Sequence, residues 1–369
     1  MSGPAHGGAA LTRRAALLGL GSLAVGPAAA APPSDLDLQP ALRSQAAKSG
    51  VKFGIAGPAP NSQPEARLLT LAAAEADIFA PEWALKWFFT EPRPNAFDFA
   101  DSDSLADFAR RRDMRMHGHT LVWYAALPAW VTELSLARDA EAALERHIST
   151  LVARYRPQIW AWDVVNEPIE PKDGLPDGHR DSIWYRLLGD NYLDLAFRLA
   201  RRADPAVALS LNEYGIEYDD EASRAKRAAL LTLLRKLRER NAPIDRIGLQ
   251  SHLDADRNLD RKGLTEFLRA ARALGYEWMV TELDVNDVRI PGDIGARDLA
   301  VARHADEYLD IVHAVARPLS ITTWGLTDRL SWLRKYNKRA DGQPLRPLPF
   351  DADLDRKPLW ATLAHYLSS

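Results

Sequence analysis

The chain has 369 residues, 47% of them hydrophobic, with a formal net charge of −3 and a pI near 6.3. That length and apolar content allow a large buried core, and the near-neutral charge gives no electrostatic case for nucleic acid or an anionic membrane. The absence of cysteine excludes disulfides, thiolate metal sites and cysteine nucleophiles together.

At the N-terminus, Arg13 and Arg14 precede an apolar run over 15–25, followed by Pro27 and the small residues 28–31. A charged start, a short apolar middle and an Ala-x-Ala region predict an export signal cleaved after Ala30 or Ala31. The paired arginines resemble a twin-arginine leader, whose cargo folds before export. The run is shorter than the roughly 20 residues a membrane-spanning helix needs. The expected organisation is a signal peptide over 1–31 and a single folded domain over 32–369, located in the periplasm or secreted.

Short apolar runs then fall at 53–56, 77–80, 114–119, 159–165, 207–212, 247–252, 278–283 and 321–324, and read as strands. Helical patterns lie between them, most clearly at 139–155, 221–240 and 296–316. On the second, Ala225, Ala228, Ala229, Leu233 and Leu237 form an apolar stripe against Arg224, Arg227, Arg235 and Arg238. Eight strand–helix repeats predict an α/β fold, a single (β/α)8 TIM barrel. No G-x-G-x-x-G follows any run, which disfavours a doubly wound dinucleotide-binding sheet. Eleven tryptophans is a high count, and tryptophan suits flat sugar faces as well as cores.

Barrel chemistry collects at the C-terminal ends of strands. Those ends carry Lys86, then His119 and Trp123, then Asn166 and Glu167, then Asn212 and Glu213. Gln250 and His252 end the sixth run, Glu282 and Asp284 the seventh, and Trp324 the eighth. A lone glutamate there is ordinarily a solvated loop residue or a helix-start charge. Two of them, closing apolar strands as Glu167 and Glu282 do, match the carboxylate pair that glycosidic hydrolysis requires. One must hold a proton for the leaving oxygen; the other must stay ionised to attack. Asn166 suits a donor to a sugar hydroxyl. Gln250 and His252, two apart on one strand, share a face, from which His252 holds Glu282 ionised while Asp284 fixes the His252 tautomer.

His117 and His119 are also two apart and invite a metal reading with His252. The fifth and eighth strands offer no matching ligand, so no metal is expected, and His117 reads as a packed residue. Arg110, Arg111 and Arg112, and the basic residues of 235–238, read as solvated helix faces.

With these residues in view, the chain resembles glycoside hydrolase family 10, the endo-β-1,4-xylanases, over almost all of its length beyond the leader. The stretches that carry the likeness begin with Gly118 through Trp123, Trp162 through Pro168, Leu211-Asn212-Glu213-Tyr214 and Ile247 through Leu253. They continue with Thr281 through Val285, Thr323-Trp324-Gly325, Ser331-Trp332-Leu333, Pro349-Phe350-Asp351 and Lys357-Pro358. The resemblance implies a retaining hydrolase of xylan with Glu167 as acid/base and Glu282 as nucleophile, their carboxylates about 5–5.5 Å apart. It places Glu82, Trp83, Lys86, His119, Trp123, Tyr124, Trp324 and Trp332 around the bound sugars, with Asn166, Gln250, His252 and Asp284 in support. No cofactor is implied; the partner is a polysaccharide or oligosaccharide, and the enzyme is expected to act as a monomer without a membrane anchor once the leader is removed.

The departures from the family pattern sit together. Trp83 stands where the family usually has an asparagine, Tyr124 where it has a histidine, and Ala126 where it has a glutamine. A site that loses hydrogen-bonding partners changes its discrimination among sugars. One alternative is therefore a glycanase for another β-1,4-linked polymer, such as a bacterial exopolysaccharide. The other is a catalytically silent carbohydrate-binding barrel, which the intact glutamate pair argues against.

Overall fold

The apolar runs become strands with almost no exposed residue, as parallel strands covered by helices must be. In a computed structural model, the described residues are 36, 38–60 and 65–369; the expected leader over 1–31 lies outside them. The strands are β1 (Lys52–Gly57), β2 (Ile78–Pro81), β3 (Arg115–Val122), β4 (Ile159–Asn166), β5 (Ala208–Glu213), β6 (Arg246–Leu249), β7 (His252–Asp254), β8 (Glu277–Asn286) and β9 (Ser320–Thr323). Every pairing among them is parallel, in the order β6-β5-β4-β3-β2-β1-β9-β8, and β6 pairs with β8 to close the ring. This is the (β/α)8 barrel the repeats predict, with helices between the strands.

The sixth strand differs from its expected form. The run at 247–252 is broken into β6 and β7 at Ser251, whose φ of +63° lies in the left-handed region. The Ser251 hydroxyl lies 3.0 Å from the Leu249 carbonyl, to which it donates, and 2.6 Å from the Tyr308 hydroxyl, replacing ladder bonds the break removes. β7 pairs with β8 alone, setting His252 opposite Asp284. Register irregularities also fall between His119 and Val122, between Asp163 and Val165, and between Val280 and Leu283. Such irregularities re-aim side chains, and these three lie on the strands that carry His119, Glu167 and Glu282.

The three clearest helices appear as Ala137–Arg154, Glu221–Glu239 and Ile294–Val315, within two residues of their expected bounds. Asp220 and Asp293 start two of them by accepting the backbone N–H three residues on, at 2.8 and 2.9 Å. The stripe expected on Glu221–Glu239 is corrected. Ala225 and Ala228 are exposed, and the buried face is Leu230, Leu233, Leu234 and Leu237 with Lys226 and Arg227. Arg227 is buried because it caps the Ile216 and Tyr218 carbonyls at 2.6 and 3.1 Å and pairs with Asp260. Arg238 is drawn inward over the Tyr276 ring, 4.1 Å from its centroid, so that face is only partly solvated. Arg110, Arg111 and Arg112 are exposed.

The barrel is sewn shut where β1 meets β9. β1 pairs with β9, and the buried Glu75 carboxylate accepts the Leu42 backbone N–H at 2.8 Å. The same carboxylate takes the Trp360 indole N–H at 3.1 Å and the Arg356 guanidinium at 2.7 Å. Among the described residues, the first helix, Leu42–Ala46, and the last, Pro358–Ser368, thus share one anchor. A buried carboxylate stripped of such partners is costly, so this contact ties both helices to the fold.

Candidate active site

The strand ends open into a cleft of about 560 Å³ lined by both Glu167 and Glu282. Glu82, Trp83, Lys86, His119, Trp123, Tyr124, Gln250, His252, Trp324 and Trp332 all line it as well. Asn166 and Asp284 sit behind the wall, buried, each bonded to a residue that faces the cleft. Four of the eleven tryptophans are therefore in the cleft.

The two glutamates are joined through a short relay of amides. Asn212 Nδ2 donates to Glu282 Oε1 at 2.7 Å and to Asn166 Oδ1 at 2.8 Å, and Asn166 Nδ2 donates to Glu167 Oε1 at 3.0 Å. Gln250 Nε2 adds a bond to Glu167 Oε1 at 3.1 Å. Asn212 reaches this position because β6 carries Gly248 beside it. An added Cβ there would lie 2.1 Å from Asn212 Oδ1. Glu167 itself takes φ +56°, a conformation that costs a non-glycine residue roughly 1–2 kcal/mol. Its N–H donates to the Asn212 carbonyl at 2.9 Å, and its own carbonyl accepts from Arg180 Nε at 2.7 Å, so the strained turn is held from both sides.

A second chain of bonds runs to Glu282. Trp332 Nε1 donates to Asp284 Oδ2 at 2.7 Å, Asp284 Oδ1 meets His252 Nδ1 at 3.0 Å, and His252 Nε2 meets Glu282 Oε2 at 3.2 Å. The strand break at Ser251 separates two side chains expected on one face. Gln250 reaches Glu167 while His252 reaches Glu282. Burial works against a charged His252, but Asp284 and Glu282 outweigh it and lift the imidazole well above its ordinary value. Burial would likewise raise Glu282; the His119 charge, 3.9 Å from Oε1, and the His252 hydrogen bond reverse this and hold the carboxyl below its usual range. Glu282 is thus kept ionised in a buried place.

Opposite these, Lys86 is buried, with its ammonium 4.5 Å over Trp83, 4.6 Å over Trp123 and 5.9 Å over Trp324. Burial draws the Lys86 ammonium down, with Glu282, Glu167 and Glu82 opposing. Burial also pushes Glu82 up to about 7, against the pull of Lys86 and a hydrogen bond to Trp83. The metal reading of His117 and His119 meets a different partner. His117 Nε2 and His119 Nδ1 both bond Asp163 Oδ2, at 2.8 and 3.0 Å. Burial alone would raise Asp163; the two histidines outweigh it and keep its carboxyl below the usual range. His117 is therefore a hydrogen-bonded support, and His119 is oriented by Asp163 toward the cleft.

Four further residues were not legible as site residues from strand ends. Tyr214, Lys335 and Tyr336 line the cleft, and Arg180 grips Glu167 from a loop. Tyr214 follows Glu213 directly, and Lys335 and Tyr336 lie one helical turn beyond Trp332, a spacing that puts them on its side. Arg180 carries no comparable signal.

A closed parallel barrel whose mouth holds two linked glutamates, one kept ionised, among aromatic walls defines a glycoside hydrolase. The profile of Glycosyl hydrolase family 10 matches residues 41–366, and the chain belongs to that family. Endo-1,4-beta-xylanase 1 of Humicola insolens is 32% identical over 335 residues, covering 89% of this chain and 74% of its own. Endo-1,4-beta-xylanase B of Thermotoga neapolitana is 32% identical over 327 residues, covering 86% of this chain and 89% of its own. The crystal structure of xylanase 10B from Thermotoga petrophila in complex with xylobiose is similar at a TM-score of 0.80 and 29% identity, covering 89% of this chain and 97% of that one.

Proposed function

We propose that this family 10 hydrolase is a retaining endo-β-1,4-xylanase that cuts internal bonds of xylan by double displacement. The observation that carries the mechanism is the unequal setting of the two glutamates. Glu282 is held ionised by Asn212, His119 and His252, while Glu167 across the cleft receives only neutral amide donors on Oε1. In the first step Glu282 bonds to the anomeric carbon as the glycosidic bond breaks, and the departing oxygen takes the Glu167 proton. In the second, Glu167 takes a proton from water, whose oxygen displaces Glu282 from the sugar. The xylan assignment is supported by the names of the relatives and by the xylobiose bound to a similar structure.

A different β-1,4-linked polymer is the second reading. Trp83 and Tyr124, 46% and 40% exposed, present large rings in the cleft wall where the family pattern has smaller hydrogen-bonding groups. We further infer that residues 1–31 direct export; among the described residues no helix is long and apolar enough to cross a membrane.

Release of dinitrophenol from a dinitrophenyl β-xylobioside tests the roles. Glu282→Ala is expected to abolish it, whereas Glu167→Ala keeps the initial burst, because a good leaving group needs no acid. Equal loss of the burst in both variants would overturn the assignment. Hydrolysis of xylan, β-glucan and a bacterial exopolysaccharide, compared side by side, tests the substrate, and negligible action on xylan would reject it.

A further inference from the structure

Arg180 is tied to Glu167 at three levels. Its backbone N–H donates to the Pro168 carbonyl at 2.8 Å, its Nε donates to the Glu167 carbonyl at 2.7 Å, and its Nη2 stands 4.0 Å from Glu167 Oε2. The guanidinium is itself fixed. Nη2 donates to the Tyr214 hydroxyl at 3.0 Å, the group lies over the Tyr124 ring at 4.1 Å, and Glu170 Oε2 is 3.7 Å away. Only 9% of Arg180 is exposed. On the far side of the turn, Glu213 accepts the Ile169 N–H at 3.0 Å and is paired with Lys226 at 2.9 Å. The stretch Glu167-Pro168-Ile169 is therefore clamped from two directions.

The two oxygens of Glu167 are not equivalent. Oε1 accepts from Asn166 at 3.0 Å and Gln250 at 3.1 Å, which occupies both of its lone-pair directions. A proton on this carboxyl has to reside on Oε2, the oxygen facing Arg180. At 4.0 Å the guanidinium is too distant to bond Oε2 and take the place of that proton. After transfer, Oε2 stays within ion-pair distance of that guanidinium.

Resting on the acid/base reading of Glu167, we infer that Arg180 is a positioning residue for the proton-transfer step, setting the Glu167 turn so that Oε2 is the donating oxygen. The proton passes from Oε2 to the glycosidic oxygen, the electrons of the breaking carbon–oxygen bond stay on that oxygen, and a Glu282 oxygen bonds the anomeric carbon. Glu167 is left as a carboxylate beside the guanidinium. Tyr124 belongs to the same device, because its ring covers the Arg180 charge from the cleft.

The experiment measures kcat/KM for a series of aryl β-xylobiosides whose phenols range from good to poor leaving groups, in wild type, Arg180→Gln, Arg180→Lys and Glu167→Ala. Arg180→Gln is expected to lose about tenfold or more on poor leaving groups and less than about threefold on dinitrophenol, steepening the leaving-group dependence. Arg180→Lys is expected to recover part of the loss, since it keeps the charge without the planar fork. The dinitrophenyl rate in the same preparation reports that the variant is folded. Uniform loss across the series, or no loss on poor leaving groups, would overturn the inference. A flat Glu167→Ala series would instead sink the acid/base reading, while a steep Glu167→Ala series beside a flat Arg180→Gln series sinks the role of Arg180 alone.

Discussion

Replacing Gly248 with alanine is expected to reach the chemistry from beneath the cleft floor, without touching a cleft-lining residue. The new Cβ would lie 2.1 Å from Asn212 Oδ1, 2.9 Å from its Cγ and 3.1 Å from Thr281 Cγ2. The Asn212 amide has to move. It now donates to Glu282 Oε1 and Asn166 Oδ1 and accepts from Thr281 Oγ1 at 2.8 Å, so moving it frees Glu282 from one of its fixed donors. A hydrogen bond to a charged group contributes about 1.5–3 kcal/mol. At 1.36 kcal/mol per decade, kcat/KM on a dinitrophenyl β-xylobioside is expected to fall by roughly 10- to 150-fold. Overpacking by one carbon costs about 1–3 kcal/mol. With an unfolding entropy near 2.1 cal/mol/K per residue over about 330 residues, Tm is expected to drop by roughly 1.5–4 °C. Steady-state kinetics and a thermal melt on one preparation read both quantities. A lowered Tm with wild-type kcat/KM would refute the coupling between Asn212 and Glu282; no change in either would refute the close packing itself.

Three other outcomes are expected. In Asp284→Asn, an NMR titration of the His252 ring is expected to move to lower pH, because Asp284 raises the folded-state value. The stability His252 supplies is complete below its unfolded value near about 6.5 and fades as pH rises through the folded one, so the variant fades earlier in pH-dependent melts; an unmoved titration counts against the relay. In His119→Ala, Glu282 loses a neighbouring charge that lowers it, so the acid limb of kcat/KM is expected to shift to higher pH, and an unshifted limb would show that His119 does not set it. The triple change Trp83→Asn, Tyr124→His and Ala126→Gln is expected to alter the ratio of xylan to β-glucan hydrolysis by about tenfold or more, and an unchanged ratio would mean these rings do not select the sugar.

The barrel was readable because its strands are short apolar runs bounded by polar residues, and each of the eight runs overlaps a strand whose ends lie within three residues of its own. The cleft was readable for the same reason. A polar or aromatic side chain that ends such a run has few places to go but the mouth. What escaped depends on contacts distant in sequence. The strand break at Ser251 escaped because half of its support is the hydroxyl of Tyr308, fifty-seven residues away on the helix Ile294–Val315. Lys226 and Arg227 look like solvated charges until Glu213, Asp260 and two loop carbonyls are brought to them by the fold. Asp163 sits mid-strand among tryptophan and valine, and its role is visible only when β3 lays His117 and His119 alongside it. Arg180 comes from a loop, where no periodicity points.

The shared anchor at Glu75 has a consequence for when the molecule can finish folding. A polypeptide emerging from the ribosome presents Leu42 and Glu75 well before Arg356 and Trp360, which follow Glu75 by 281 and 285 residues, and β1 waits equally for β9. Until those later residues are released, the growing chain carries an open sheet edge and a carboxylate lacking two of its partners. Completion therefore waits on residues 281 and 285 positions further along, so that two stretches far apart in sequence lock together. A circular permutant that joins the helices Leu42–Ala46 and Pro358–Ser368 directly and opens a surface loop elsewhere would relieve that wait, whereas deleting Pro358–Ser368 would unfasten Leu42–Ala46 as well.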